Sequence, residues 1–311
     1  MACLFVFFLQ QSLFIELPQK DGDYVLHFKK LKYLIASCFK RAKHSIFIAS
    51  FGLTDPDIIR MLENISVPIH IALDPKETSK LPERKHIRIF KKTHSSGIMH
   101  RKIICIDEEW ILLGSTNLTP LALHIHQNLM LCIRSFPLFS AIKHDRLLHT
   151  PSLSYYPLPQ EKKQALNAIL SHIHTAKKHI FVAMYIFTHP QIAAALIQAQ
   201  QRGVSVYVYL DQNIAGKHQR ALIQHLQDNN ISVTTYLGTG LLHHKLALID
   251  NVCFLGSLNW TRSAFTKNDE YLLILSKIPA KEYQKIIHFF SYLHIASKRV
   301  NLLPWRQKVG A

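Results

Sequence analysis

Residues 241–260 read "LLHHKLALIDNVCFLGSLNW", and they decide the fold because residues 99–118, "MHRKIICIDEEWILLGSTNL", repeat their pattern about 140 positions earlier. In each stretch a His-x-Lys pair opens an apolar run that ends in Asp, and Gly-Ser-x-Asn follows. A strand turns successive side chains to opposite faces, so His100 shares a face with Lys102, and His243 with Lys245. Asp107 and Asp250 have the opposite parity, which reads as a structural anchor at each strand end. A lone His-x-Lys carries little weight in a chain with 20 histidines. Two copies in register, each trailed by the same four-residue motif, are a signal of function.

The repeat extends outward. "AKHSIFIASFGLTDP" (42–56) aligns without gaps on "AKKHIFVAMYIFTHP" (176–190), and "VPIHIALDP" answers "VSVYVYLDQ", a second strand ending in an acidic residue. Helix-periodic stretches precede and separate these strands, notably "PQIAAALIQAQQRG", which closes on Gly203 as a helix C-cap does. Alternating helices and strands predict an α/β fold of two similar lobes, residues 1–150 and 151–311, each a mixed sheet flanked by helices, with a site at the lobe interface. "HTPSLSYYPLPQ" (149–160), with three prolines, is the expected linker.

Composition sets the outer limits. A chain of 311 residues, 48% of them hydrophobic, builds sizeable cores, which excludes a disordered or fibrous protein. Thirty-seven Lys and Arg against 20 Asp and Glu give a formal charge of +17 and favour an anionic partner: a phospholipid or anionic membrane surface, or nucleic acid. Five cysteines without close pairs match small buried residues of a reducing compartment rather than a disulfide framework or zinc site. The start, "MACLFVFFLQQSLFI", lacks the basic residues of a signal peptide and is too short to span a bilayer. It is expected to be a buried strand, with a membrane-surface anchor or secretion signal as the alternatives.

Two imidazoles, two ammonium groups and two Ser/Asn pairs suit a phosphodiester. Lys102 and Lys245 supply positive charge to non-bridging oxygens, Asn117 and Asn259 add neutral donors, and no metal cage is apparent near either motif. One histidine attacks phosphorus and the other serves as acid and then base. Glu270 lies 27 residues beyond His243, whereas the first half offers Gln127 and Asn128. A carboxylate favours the protonated imidazole, so the expectation is that Glu270 partners His243 as the acid. Gln127 or Asn128 then partners His100 as the neutral nucleophile.

"HRKIICIDEEWILLGSTN" and "HHKLALIDNVCFLGSLN" resemble the paired motifs of the phospholipase D superfamily, and the likeness covers nearly the whole chain. It implies a two-lobed α/β fold and phosphodiester hydrolysis or transfer through a phosphohistidine without metal or organic cofactor. It also implies that His100 and His243 are catalytic, that Lys102 and Lys245 bind phosphate, that Asn117 and Asn259 adjoin the pocket, and that Ser115 and Ser257 support it. The Asp-to-Gly spacing is one residue shorter in the second half, a deletion expected in a turn. "GSLNWTRSAFTKNDE" is similar to the small nuclease and cardiolipin-hydrolase branch. The expected function is hydrolysis of phospholipid headgroup esters by a monomer with an internal pseudo-dimer. The alternatives are a metal-independent endonuclease with Trp260 and Tyr185 stacking on bases, a phosphatidyltransferase resembling cardiolipin synthases, and a catalytically silent binding protein.

Overall fold

The computed structural model describes residues 15–76, 81–82, 84–91, 97–215 and 219–299; the apolar start at residues 1–14 lies outside them. The first sheet contains β1 (Tyr24–His27), β2 (Ile46–Ser50), β3 (Ile69–Leu73), β4 (Ile87–Lys91), β5 (Lys102–Ile106), β6 (Trp110–Gly114) and β7 (Met130–Arg134). The second contains β8 (Leu148–His149), β9 (Leu153–Leu158), β10 (His179–Met184), β11 (Ser205–Asp211), β12 (Ser232–Tyr236), β13 (Lys245–Ile249), β14 (Val252–Gly256), β15 (Glu270–Leu275) and β16 (Ser297–Arg299).

The orders are β1-β7-β6-β5-β2-β3-β4 and β16-β12-β11-β10-β13-β14-β15-β9-β8. Apart from the flanking β16 and β8, the second order is the first repeated. β2 and β10 each lie between a parallel and an antiparallel neighbour, so both sheets are mixed. Their side chains are mostly buried on both faces, which is why both stretches read as unbroken apolar runs.

One face of each sheet packs on its own lobe's helices. In the first lobe Ile46, Ile48, Ile69 and Ile71 meet Leu34, Ile35 and Ile58. In the second, Ile180, Val182, Val206 and Val208 meet Ile192, Leu196 and Ile223. The opposite faces join in one cluster shared between lobes, where Ile103 and Leu113 share a core with Leu246, Leu255 and Tyr271. Those helices lie on the outer faces, the helices Phe136–Lys143 and Ala280–Ala296 pack into the shared cluster, and the strands bearing His-x-Lys are at the centre.

The proline-rich stretch is not a linker. Leu153–Leu158 is the buried strand β9, antiparallel to β15 with Pro157 opposite Tyr271. β8 covers only Ser154 and Tyr155, so Pro157 lies where β9 forms the sheet edge, a place that tolerates a missing N–H.

The hairpin β5–β6 turns through residues 107–109 and β13–β14 through 250–251, which accounts for the shorter second spacing. Each hairpin ends in a glycine whose neighbours leave no room for a side chain. A Cβ on Gly114 would run into the Leu129 carbonyl, and one on Gly256, at φ +148°, into that of Tyr271. Gly114→Ala is expected to cost about 1–3 kcal/mol through strain in the β6–β7 pair. The urea midpoint measures it, and an unchanged midpoint would contradict this packing.

Candidate active site

His100 and His243 each stand two residues ahead of the lysine that opens a strand of their own hairpin, β5 beginning at Lys102 and β13 at Lys245. Each lysine folds back on its motif: Lys102 Nζ donates to the His100 carbonyl at 2.5 Å and Lys245 Nζ to that of His243 at 2.8 Å. Aromatic rings flank both ammonium groups, Phe51 at 5.5 Å from Lys102 and Tyr185 at 5.1 Å from Lys245. The same rings touch the imidazoles, Phe51 on His100 and Tyr185 on His243. Both histidines are 8% exposed.

The aspartates of the motifs point away. Asp107 accepts from the backbone N–H of Lys43, His44 and Ser45 at 2.7–3.0 Å, and Asp250 from Lys177, Lys178 and His179 at 2.8–3.1 Å. Both sit in the left-handed region, with φ of 54° and 48°. They tie the hairpin turn to the segment leading into the neighbouring strand. Partial burial acts to raise both carboxyls, but these N–H donors outweigh it and hold them below the usual range.

The imidazoles are partnered across the lobe boundary, opposite to the sequence expectation. His100 Nδ1 lies 2.8 Å from Glu270 Oε1 and 2.9 Å from Oε2. His243 Nδ1 lies 3.0 Å from the Ser115 carbonyl and 3.1 Å from Asn128 Oδ1. Sequence proximity to His243 misassigned Glu270 because two short parallel bridges exchange the partners. Met99 pairs with Asp269, and Leu242 with Gln127. His100 N donates to the Asp269 carbonyl at 2.9 Å, and His243 N to that of Gln127 at 3.0 Å. Gln127 therefore acts through its backbone and is not a partner of His100.

The remaining expected residues divide between pocket and scaffold. Ser115 Oγ donates to Asn128 Oδ1 and accepts from Leu129 N, fixing the amide that faces His243. Ser257 Oγ accepts from Tyr271 N. Asn259 Oδ1 accepts from Ile186 N at 3.3 Å, while Asn117 is half-buried with an Oδ1 that makes no hydrogen bond among the described residues. Trp260 is 2% exposed and packs edge-on against Phe187, so it is not a platform for bases. Tyr185 is half-buried beside His243.

Sequence reasoning missed two carboxylates. Asp74, just after β3, accepts from Met99 N at 2.7 Å, and Asp211, ending β11, accepts from Leu242 N at 2.8 Å. Both are buried, and each holds the residue preceding a histidine. The signal was present in the Leu-Asp pair repeated near the end of "VPIHIALDP" and of "VSVYVYLDQ". His126 was also missed; its ring centroid is 6.4 Å from that of His243.

Burial dominates the electrostatics. It lowers His100, with Glu270 opposing, and lowers His243 further, because Lys245, Lys102, His100 and His126 all oppose a proton there. Burial pushes Lys102 down to about 7 despite Glu270 and Asp74, and Lys245 well below its usual value. Buried cationic groups with incomplete compensation form a centre built for an anion. Among the described residues, no group of three or more His, Cys, Asp and Glu side chains is arranged to hold a metal ion.

Fold and site together define an α/β protein whose two repeated lobes share one buried His/Lys centre. The chain belongs to the phospholipase D-like family: the family model "Cardiolipin synthase, PLD-like domain" matches residues 35–145 and 169–293. It is 32% identical over 131 residues to mitochondrial cardiolipin hydrolase of Xenopus laevis, covering 42% of this chain and 61% of that protein's length. It is 28% identical over 144 residues to a phospholipase D of Rickettsia bellii, covering 42% of this chain and 71% of the other. The structure of phosphatidylserine synthase from Haemophilus influenzae shares the fold, with a TM-score of 0.70 at 12% identity over 91% of this chain and 89% of that one. Among the described residues no helix is long and apolar enough to cross a membrane.

The depressed lysine has a consequence for stability. The Lys102 pKa of about 7 lies below that of an unfolded lysine, so the unfolded chain binds the extra proton between those values. Stability therefore falls as pH drops from the unfolded lysine range to about 7 and changes no further through this group below it. Lys102→Met is expected to stabilise the free protein by about 1–4 kcal/mol at pH 7, with the gain shrinking toward pH 10. Denaturant titration at both pH values measures this, and a destabilised variant would contradict it.

Proposed function

We propose that this chain is a phosphodiesterase that hydrolyses phospholipid headgroup esters through a phosphohistidine on His100. The observation that carries the reading is the pair of His/Lys motifs brought to one buried centre, with His100 held by a carboxylate and His243 by neutral acceptors. Lipid is chosen over nucleic acid because the relatives named above are a cardiolipin hydrolase and a phospholipase D, and because Trp260 is buried away from any bound strand.

The nucleophile is assigned on the pairing that the structure contains. Glu270 holds the Nδ1–H tautomer of His100 and leaves the Nε2 lone pair facing the centre. Attack by Nε2 on phosphorus creates a ring bonded at both nitrogens and positively charged, and the Glu270 carboxylate compensates that charge. His243 has only a carbonyl and an amide oxygen on Nδ1, so its imidazolium is a stronger acid and its Nε2 proton passes readily to the departing headgroup oxygen. The P–O bond breaks and the headgroup alcohol leaves. His243 Nε2, now neutral, takes a proton from water as the water oxygen attacks phosphorus. The N–P bond then breaks, releasing phosphatidate and returning both histidines to their starting states. Lys102 and Lys245 stabilise the five-coordinate centre, and an arriving phosphate restores the charge that burial has weakened.

The test is headgroup release from phospholipid vesicles in EDTA, with single-stranded DNA in the same tube. Wild type is expected to release headgroup, with His100→Ala and His243→Ala reducing it by a factor of about 10² or more. In His243→Ala the adduct is expected to accumulate on His100, located by peptide mapping at alkaline pH. Nucleotide release instead of headgroup would make the protein a nuclease, and an adduct on His243 would reverse the roles. No product from either substrate would make it a binding protein.

The pH dependence follows from the depressed cations. His243 and Lys102 must be protonated in the free enzyme, so kcat/KM is expected to decline as pH rises through the lowered His243 range and on through about 7. Asn128→Asp places a carboxylate on His243, favours its protonated form and shifts the alkaline limb upward. A downward or absent shift in the pH–rate profile would contradict the acid assignment.

A further inference from the structure

The groups around the two imidazoles answer one another in the repeat but differ in what they leave free. Phe51 and Tyr185 hold the same place, one ring touching His100 and the other His243. Asn268 and His126 likewise correspond, each two residues before the side chain that faces an imidazole Nδ1. On the His100 side Phe51 has no polar atom, and Asn268 is committed to the scaffold. Its Oδ1 accepts from Ile98 N at 3.4 Å and its Nδ2 donates to Glu270 Oε1 at 3.5 Å. On the His243 side the Tyr185 hydroxyl and the His126 ring nitrogens make no hydrogen bond among the described residues, and both side chains are half-buried rather than enclosed.

In-line displacement puts the departing oxygen opposite His100 Nε2 and next to the acid, His243. The headgroup that leaves with that oxygen therefore lies on the side of Tyr185 and His126. Burial lowers the His126 pKa against the pull of Asp211 and, with Asp211, raises that of Tyr185. A phenol and a neutral imidazole each donate and accept, which matches alcohol groups. The surroundings suit an ammonium group poorly. The Tyr185 ring already has Lys245 Nζ at 5.1 Å, and a protonated His243 repels a second cation. The carboxylate whose charge reaches both residues, Asp211, is fully buried and accepts from Leu242 N and Asn213 N.

We propose that Tyr185 and His126 form the subsite for the leaving headgroup, and that it selects a headgroup bearing free hydroxyl groups over one that ends in an ammonium. The inference rests on the proposed hydrolysis with His243 as the acid, and it adds the residues that choose among headgroups.

The test is competition within one surface: vesicles of equal parts phosphatidylglycerol and phosphatidylcholine, with released glycerol and choline measured together. Sharing a vesicle makes the product ratio independent of how a chain of charge +17 docks on it. Wild type is expected to release glycerol over choline by about tenfold or more. Tyr185→Phe and His126→Asn each install the residue of the other lobe, and each is expected to lower that ratio by about three- to tenfold. A wild-type ratio near one would overturn the subsite and leave headgroup hydrolysis standing. Variants that keep the wild-type ratio, or that lose both products alike, partly or completely, would also overturn it, because the two residues would then support the centre for any headgroup. Release of neither headgroup by wild type would overturn the hydrolysis reading and the subsite with it.

Discussion

The hydrogen bond between His100 and Glu270 joins residues 170 positions apart, and the centre depends on it. It forms because the backbone just before each His-x-Lys strand is bridged to the start of the last motif strand in the other lobe. A histidine cannot be oriented by its own half. The lobes are therefore not two sites side by side but two halves of one, and the shared apolar cluster that presses the sheets together also sets the distance between the imidazoles. Tyr271 reinforces the joint: its hydroxyl, buried among first-lobe backbone, donates toward the Gly114 and Lys102 carbonyls and accepts from Gly114 N.

A repeat with nearly two-fold geometry would give two equivalent histidines, which suits a reaction with distinct acid and nucleophile poorly. The symmetry is broken at few positions. Glu270 faces one ring and Asn128 the other; Phe51 and Tyr185 line opposite sides; His126 adds a basic group beside His243 alone. The scaffold contacts keep the symmetry. Asp107 and Asp250 anchor their turns alike, and Asp74 and Asp211 hold the residues before the histidines alike. Structural anchors have been kept in both halves while the groups that decide protonation have diverged.

The fold was legible because a duplicated pattern of strands leaves a duplicated pattern of apolar runs, and the strand parity of His, Lys and Asp placed those side chains along the chain. Parity could not say which half each partner faces. Spacing assigned Glu270 to His243, the nearer histidine in sequence, while the bridges Met99–Asp269 and Gln127–Leu242 are contacts between lobes that no local periodicity encodes. The prolines of 149–160 suggested a linker because they interrupt a pattern, yet Pro157 occupies a sheet edge where an N–H is dispensable. Trp260 suggested a binding platform by its motif position, and the second lobe's core claimed it. Asp74 and Asp211 were visible as a repeated acidic strand end, but their use as acceptors for buried backbone N–H groups emerges only once Met99 and Leu242 are in place.

The crossed pairing is tested most directly by nitrogen-15 NMR of the imidazoles in wild type and Glu270→Gln. Both rings of the wild type are expected to carry the proton on Nδ1, and the substitution is expected to move the His100 nitrogen and Nδ1–H signals while leaving those of His243 in place. Signals of His243 that move while those of His100 stay fixed would return Glu270 to the histidine of its own lobe and contradict the exchange on which the site is built.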